Sequence, residues 1–574
     1  MMMMMMMIRS TRSGTRTLTL KRSMSQRIEL DLSHPQDRYE AARSIKRKFV
    51  LHTGPTNSGK THAAIVALKR ARSGVYCGPL RLLAWETCER LRDDGIPTDL
   101  LTGQENDQDE NATHVSCTVE MLSSKLSSGN VFDVAVIDEA QLIGDPVRGC
   151  AWTAAILGCP ALEIHLCGSA SVTPLVRRMV QETGDELEER TYERLSPLRV
   201  ADNSMSSLDE VRHGDAVVVF TRRDLFKYKM ELQKRGHRCS IVYGALPPVT
   251  RRKQAQQFND TSDKSISNVL VTTDAVGLGL NLRIGRIVFT TLRKFDGEMN
   301  RFLTGCEIKQ IGGRAGRFGT EHAEEGGIVT ALDSRDLKRV RAGMKETPPS
   351  ISRAGVSPEL DELAYYWKDL QDVWPDIPFS DAIAMVTDDS VVDEDTQEQL
   401  YFLCDVDDMY DNAVLLDRID MSVEDRLRFC MAPVHHRPDS LAPIVFRDYA
   451  RQFAKRGVVR SYIRNSRHQD LSAVPTNPSR LADLEELYRV LEMYMWLATR
   501  YDCDTKFPDL NMCIENTETI AEAIDAGLEI MSKDGTADKK RRRGKRGGYG
   551  RKGRRDFESS ARRRAKALRQ SKNF

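Results

Sequence analysis

The chain has twelve cysteines but no close pair of them; the nearest two, Cys159 and Cys167, stand eight positions apart. That spacing excludes CxxC zinc ligation and offers no compact disulfide framework, so a reduced compartment is the simpler expectation. Long hydrophobic runs are also missing: nowhere do about eighteen apolar residues follow one another, which excludes a membrane-spanning helix and predicts no membrane insertion. Acids are absent from residues 1–27, which carry Arg9, Arg12, Arg16, Lys21, Arg22 and Arg27. They are scarce in residues 539–574, where seventeen Lys or Arg meet only Asp556 and Glu558. The formal net charge of +2 therefore hides ends of +6 and +15 around a body of −19.

Those ends differ in character. After seven methionines, to which we assign no function, the first segment reads IRSTRSGTRTLTLKRSMSQR. Rich in Arg, Ser and Thr and weakly amphipathic, it has the composition of a mitochondrial transit peptide, with cleavage expected between Thr19 and Glu29. An ordinary disordered tail is the alternative. The far end, KKRRRGKRGGYGRKGRR, joins clustered cations to glycines and cannot bury a core. Such a tail holds nucleic acid by counterion release, blind to sequence; a nuclear-localisation signal is the competing reading.

The chain's 574 residues predict three or four folded units. From Lys46, KRKFVLHTGPTNSGKTHAAIVALKRA reads as a buried strand, a glycine-bearing loop and a helix opening near Lys60. The loop Gly54, Pro55, Thr56, Asn57, Ser58, Gly59, Lys60, Thr61 has the full phosphate-loop spacing. Its glycines let backbone N–H groups turn toward phosphate oxygens, Lys60 reaches the outer phosphates and Thr61 offers a hydroxyl to Mg²⁺. Downstream, FDVAVIDEAQLI is an apolar strand ending in two acids. Asp138 stands where a second strand would hold Mg²⁺, or Mn²⁺ in its place, and Glu139 where a base would polarise water. A solvent-facing acidic strand end is the plainer alternative.

The runs VYCGPLRLLAWE (75–86), VSCTVEML (115–122) and HLCGSAS (165–171) each lead from an apolar strand into a polar turn. In a parallel sheet such turns gather at the carboxyl edge, beside the nucleotide. The second half repeats the layout with DAVVVFTRRD (215–224), HRCSIVYGALPP (237–248) and NVLVTTDAVGLGLNL (268–282), and closes with QIGGRAGRFG (310–319). Gln310 is a candidate to orient water. Arg314 and Arg317, three apart and expected on one helix face, are candidate arginine fingers for a γ-phosphate, although such arginines alone more often mark a solvated face.

GPTNSGKT, DEAQ, GSAS, VTTDAVGLGLN and QIGGRAGR, in this order, resemble motifs I, II, III, V and VI of superfamily 2 helicases. HTGPTNSGKT, SGVYCGPLRLLAWE, HVSCTVEML, AVIDEAQLI and YGALPP more narrowly resemble the mitochondrial degradosome RNA helicases of the suppressor-of-var type, from about residue 45 to 520. The chain departs from that pattern with DEAQ for DEIQ, GSAS for GEPA and Gly312 for alanine, and no adenine-reading glutamine block precedes Gly54. The resemblance implies two tandem RecA-like parallel-sheet domains clamping ATP, the phosphate loop and Gly277 among the residues around it. It further implies single-stranded or structured RNA across their top, 3′-to-5′ movement, helical additions over the RNA and a 3′-to-5′ exoribonuclease partner in a degradosome-like complex. Arg81, Thr118, Thr221 and Thr273 are the expected RNA-backbone contacts.

The expected layout is α/β followed by an α-helical C-terminal region and a disordered basic tail. Its boundaries are a transit peptide at 1–27, RecA-like domains at 28–195 and 196–345, a helical domain at 346–475, a small helical domain at 476–530 and the tail at 531–574. Residues 466–480, polar and with two prolines, read as a linker. Tyr365, Tyr366, Trp367, Tyr494 and Trp496 are candidates to stack on bases, against the commoner fate of aromatics at helical spacing, the core. The leading functional expectation is an ATP-dependent RNA helicase of the mitochondrial matrix serving RNA degradation and surveillance. A DNA helicase or remodeller and a non-catalytic RNA scaffold are the competitors.

Overall fold

The computed structural model describes residues 28–531 except 123–130, 261, 263–267, 278–280, 298, 318–323, 393–398, 438–439 and 466–469. The expected transit peptide and, beyond Met531, the expected tail lie outside the described residues, as does part of the expected linker.

Strands that are apolar on both faces must be covered on both, and the middle of the first lobe's sheet is built of such runs; its eight strands include a polar, largely exposed one at either edge. They are β1 (Lys48–Thr53), β2 (Gly74–Gly78), β3 (Thr98–Leu101), the two-residue edge β4 (Asn106–Asp107), β5 (His114–Thr118), β6 (Phe132–Ile137), β7 (Ala161–Gly168) and β8 (Glu186–Thr191). Their order is β4-β3-β5-β2-β6-β7-β1-β8, parallel throughout except for β3 with β4. Helices α1 (Lys60–Arg70), α2 (Arg81–Asp93), α3 (Gly149–Gly158) and α4 (Thr173–Thr183) connect the strands.

The second lobe holds β9 (Leu198–Val200), β10 (Asp215–Val218), β11 (Arg238–Val242), β12 (Asn268–Thr272), β13 (Arg286–Phe289) and β14 (Gly327–Ala331). All pairings in this sheet are parallel, in the order β9-β14-β13-β10-β12-β11. Its helices are α5 (Arg222–Gln233), α6 (Pro248–Asn259), α7 (Gly305–Gly312) and α8 (Ser334–Lys345). Alternation along β10 sends Ala216 and Val218 into one core and Val217, with Val219 beyond it, into another. The two lobes are RecA-like.

The Val217 face continues into the helical region of α9 (Leu360–Val373), α10 (Phe379–Asp389), α11 (Asp407–Leu416), α12 (Val423–Cys430), α13 (Ala442–Arg456), α14 (Pro478–Ala498) and α15 (Leu510–Ile530), so one core joins it to the second lobe. At the start of α14, Pro478 sits where no amide is needed, and the Asn477 carboxamide oxygen accepts from the Ser479 and Arg480 amides. Because α14 is buried on nearly every side, its Glu485 must be paired: Arg222 reaches it at 2.6 and 2.8 Å and the Tyr243 hydroxyl donates to it. At the chain's start, Leu30–Asp31 pairs in parallel with Ser390–Val391, and Arg38 meets Glu362 at 2.9 Å. No helix among the described residues is long and apolar enough to cross a membrane.

A buried cation fastens the last helix. The Lys229 ammonium, on α5, donates to the Leu528 carbonyl at 2.6 Å in the last turn of α15, where a cation complements the helix dipole. Burial pushes its pKa down to about 8 from 10.5. Between these two values the unfolded chain holds a proton that the folded chain has shed. Unfolding free energy therefore rises with pH from about 8 toward 10, by up to about 1.4 kcal/mol per unit from this group. Denaturant titrations of the intact protein and of Lys229→Met at pH 8 and 10 check this: the variant is expected to lose that part of the slope.

Candidate nucleotide cleft and nucleic-acid interface

Motif strands converge at one sheet edge. The phosphate loop leaves β1, Asp138 and Glu139 follow β6, and Gly168–Ser171 follows β7, which lies between them. The Gly54 amide donates to the Gly168 carbonyl at 3.3 Å, closing the edge. Gly54 has no room for a side chain: a Cβ would stand 2.6 Å from the Tyr192 carbonyl oxygen. Among the described residues the non-glycines with positive φ are Asn57 (61°) and Glu139 (52°), both in this cleft, and Gly59 before α1 has φ 82°. Such strain is held where the surroundings over-determine the backbone.

The Thr61 hydroxyl donates to Asp138 Oδ1 at 3.1 Å, and the Tyr76 hydroxyl to Oδ2 at 3.3 Å. Burial raises the Asp138 pKa to about 6, with the Glu139 charge adding and Lys60 opposing. Among the described residues no group of three or more His, Cys, Asp or Glu forms a cation cage. The Thr61 and Asp138 oxygens are a donor pair suited to a hard divalent ion that takes its other ligands from phosphate and water. Lys60 donates to its own loop's Pro55 carbonyl at 3.1 Å, and the Ser58 hydroxyl is buried with no partner. Gln141, the last letter of DEAQ, donates to Glu139 and accepts from the Ser169 amide at 3.0 Å, tying the acidic turn to Gly168–Ser171.

Across the cleft, helix α7 carries Gln310 and ends at Gly312, so Arg314 and Arg317 do not share a helix face as the spacing predicts. The chain turns there because Gly316 adopts φ 63° and its amide donates to the Ile284 carbonyl. Arg314 is half-buried, donates to the Gly277 carbonyl, and keeps a buried Nε without a partner. Burial lowers its pKa while Glu139 and Asp138 pull it back. Arg317 lies 3.4 Å from Asn281 Oδ1, its pKa lowered to about 10 by burial and by Arg314. A Cβ on Gly277 would meet the Gln310 side chain at 3.5 Å, so Gly277, Gln310 and Arg314 form one cluster.

A cavity of about 410 Å³ opens where both lobes meet α14, lined in part by Arg81, Thr118, Arg148, Arg251, Trp496 and Arg500. Arg81, the first residue of α2, is bound by Glu105 at 2.6 Å and Glu492 at 2.7 Å. Arg251 and Arg500 make no ion pair among the described residues; burial lowers both pKa values, that of Arg500 to about 10. The Arg500 guanidinium stacks 3.4 Å from the Trp496 ring centroid. Thr221 caps α5 and Thr273 follows β12, outside the cavity lining. Of the other aromatic candidates, Tyr366, Trp367 and Tyr494 are core: Tyr366 donates to Asp389 at 2.7 Å, Trp367 packs on Phe379 and Tyr494 donates to the Val459 carbonyl at 2.9 Å. Tyr365 is exposed. Sequence reasoning missed Arg148, Arg251, Arg489 and Arg500: Arg148 precedes α3, Arg251 is in α6, and Arg489 and Arg500 lie in and just beyond α14.

Family comparison agrees with this architecture. The DEXQ-box helicase domain of Suv3 matches residues 35–192 and the helicase conserved C-terminal domain matches 200–319. Suv3 C-terminal domain 1 matches 412–454, and the ATP-dependent RNA helicase SUV3 C-terminal domain matches 481–530. The DExH-box ATP-dependent RNA helicase DExH16, mitochondrial, of Arabidopsis thaliana is 42% identical over 87% of this chain and 84% of its own length. ATP-dependent RNA helicase SUV3, mitochondrial, of Oryza sativa subsp. japonica is 40% identical over 87% and 83%. ATP-dependent RNA helicase SUPV3L1, mitochondrial, of Homo sapiens is 38% identical over 88% of this chain and 63% of its own length. With such identity over most of both chains, the protein belongs to the Suv3 family and is an ATP-dependent RNA helicase.

Proposed function

We propose that the protein moves 3′ to 5′ along single-stranded RNA in the mitochondrial matrix and opens structured RNA for degradation and surveillance. A 3′-to-5′ exoribonuclease in a degradosome-like complex is its proposed partner. The observation that carries the motor reading is Arg314, a second-lobe cation with an unpartnered buried Nε that feels the acids Asp138 and Glu139 of the first lobe. A guanidinium with a buried nitrogen short of a hydrogen bond suits an anion arriving between the lobes.

In this reading the backbone amides of Gly54–Gly59 cradle the phosphates and Lys60 leaves the Pro55 carbonyl for them. Thr61 and Asp138 would hold Mg²⁺, or Mn²⁺, which when bound offsets charge on the phosphates. Glu139, held by Gln141, takes the proton of the attacking water, and Gln310 orients that water. Arg314 and Arg317 stabilise charge on the transferred group, so hydrolysis dissolves the contact that joins the lobes. Arg81, Thr118, Thr221 and Thr273 grip the RNA backbone, Arg81 exchanging a carboxylate for a phosphate, while Arg251 and Arg500, in no ion pair among the described residues, add positive charge. Strand separation is expected on RNA duplexes with a 3′ overhang and not on those with a 5′ overhang. Opening from the 5′ overhang alone would overturn the direction, and faster opening of DNA would favour the DNA reading. Import of the intact chain into isolated mitochondria tests location, nuclear accumulation through the basic tail being the contrary result.

A further inference from the structure

The linker between the sheets, between β8 and β9, does more than span them. Arg194 lies in it and donates from Nη1 to the Thr56 carbonyl at 2.9 Å and to the Gly313 carbonyl at 2.9 Å, from Nη2 to the Ala315 carbonyl, and from Nε to the Ser196 carbonyl at 2.9 Å. One guanidinium thus holds the phosphate loop and the turn that carries Arg314 and Arg317. The neighbouring residues repeat the bridge. The Leu195 amide donates to the Asn57 carbonyl at 2.9 Å, Asn57 Nδ2 to Ser196 Oγ at 2.7 Å and to the Gly316 carbonyl at 3.2 Å, and Ser196 Oγ to the same Gly316 carbonyl.

The partners of Arg194 are unusual for a cation. Every hydrogen-bond acceptor it meets among the described residues is an oxygen of the phosphate loop, the linker or the turn, and none is a carboxylate. Burial lowers its pKa to about 10 with no charged partner to oppose it. An arginine half-buried for stability alone would be expected to take an acid as partner. The forked guanidinium instead suits the four carbonyls that surround it, which a compact ammonium serves less well. Close approach is built in as well: a Cβ on Gly313 would overlap Thr56 Oγ1 and stand 2.7 Å from the Lys309 carbonyl oxygen.

We propose that Arg194 is a positioning residue for ATP hydrolysis, locking the phosphate loop to the Gly313–Gly316 turn and so fixing where Arg314 and Arg317 stand over the phosphates. This rests on the cleft being the ATPase site. Removing the lock leaves the phosphate-binding groups of the loop in place but lets the finger turn drift, so turnover suffers and ground-state binding does not.

The test is steady-state ATP hydrolysis with saturating single-stranded RNA, beside equilibrium binding of a fluorescent non-hydrolysable ATP analogue, for the intact protein, Arg194→Gln, Arg194→Lys, Ser196→Ala and Lys60→Ala. Arg194→Gln is expected to lower kcat at least about tenfold with analogue Kd within about twofold. Arg194→Lys recovers part of that loss, and Ser196→Ala shows the same split more weakly. A kcat unchanged in Arg194→Gln overturns the proposal, and so does an analogue Kd that weakens in step with kcat, which would make Arg194 a phosphate ligand. If Arg194→Gln does not fold, the kcat-against-Kd split in Ser196→Ala decides in the same way. Hydrolysis that survives in Lys60→Ala would instead strike at the cleft reading itself.

Discussion

Lys60→Ala is expected to lower RNA-stimulated ATP hydrolysis by at least about a hundredfold, since one preorganised group facing developing charge is worth roughly 10²–10³ in rate. The ammonium is available to serve: among the described residues it donates to a carbonyl of its own loop and meets no carboxylate in an ion pair. Glu139→Gln is expected to cause a similar loss with nucleotide binding retained, because the amide keeps the shape and the Gln141 contact but accepts no proton. Phosphate release measured beside analogue binding separates the two variants. Activity within about threefold of the intact protein in either one would remove that residue from the mechanism assigned to it.

Arg222→Met carries the largest expected cost in stability, about 3–5 kcal/mol, because it strands Glu485. That carboxylate is buried at 1% side-chain exposure, and burial already raises its pKa against the pull of Arg222. Without the guanidinium the Tyr243 hydroxyl is its remaining hydrogen-bond donor among the described residues, with the Arg489 charge nearby. Since this cluster joins the second lobe to α14, the variant is expected to melt at a temperature lower by about 5 °C or more in thermal scans. The double replacement Arg222→Met with Glu485→Met removes both charges and is expected to regain much of the loss. A double variant no more stable than the single one would show that packing, not the stranded charge, sets the cost.

The chemistry-bearing loops were legible because their residue types are dictated by phosphate and by backbone geometry that few other residues permit. Gly59 at φ 82° and the order of GPTNSGKT before DEAQ are readable from one strand's sequence at a time. The parallel sheets were legible for a related reason, since runs such as FDVAVI have no polar face to turn to water. Contacts between distant segments were not. Nothing around Arg81 announces Glu105 and Glu492, 24 and 411 positions away, and nothing in YERLSPL marks Arg194 as the bridge to Gly313. The helix expected beneath Arg314 and Arg317 fails because glycines at 312, 313 and 316 release the chain into a turn, a local cost that periodicity does not register. Tyr366, Trp367 and Tyr494 followed the core rule, while Trp496, at the same helical spacing, reached the junction cavity beside Arg500.

The central claim is that RNA at the lobe junction and ATP hydrolysis in the cleft are coupled. Its most direct test is steady-state ATP hydrolysis by the intact protein with and without saturating single-stranded RNA, at low and raised salt. A rate that rises at least about tenfold with RNA, and loses that stimulation as salt weakens the phosphate contacts, is the predicted result. A rate indifferent to RNA at every salt concentration would contradict it.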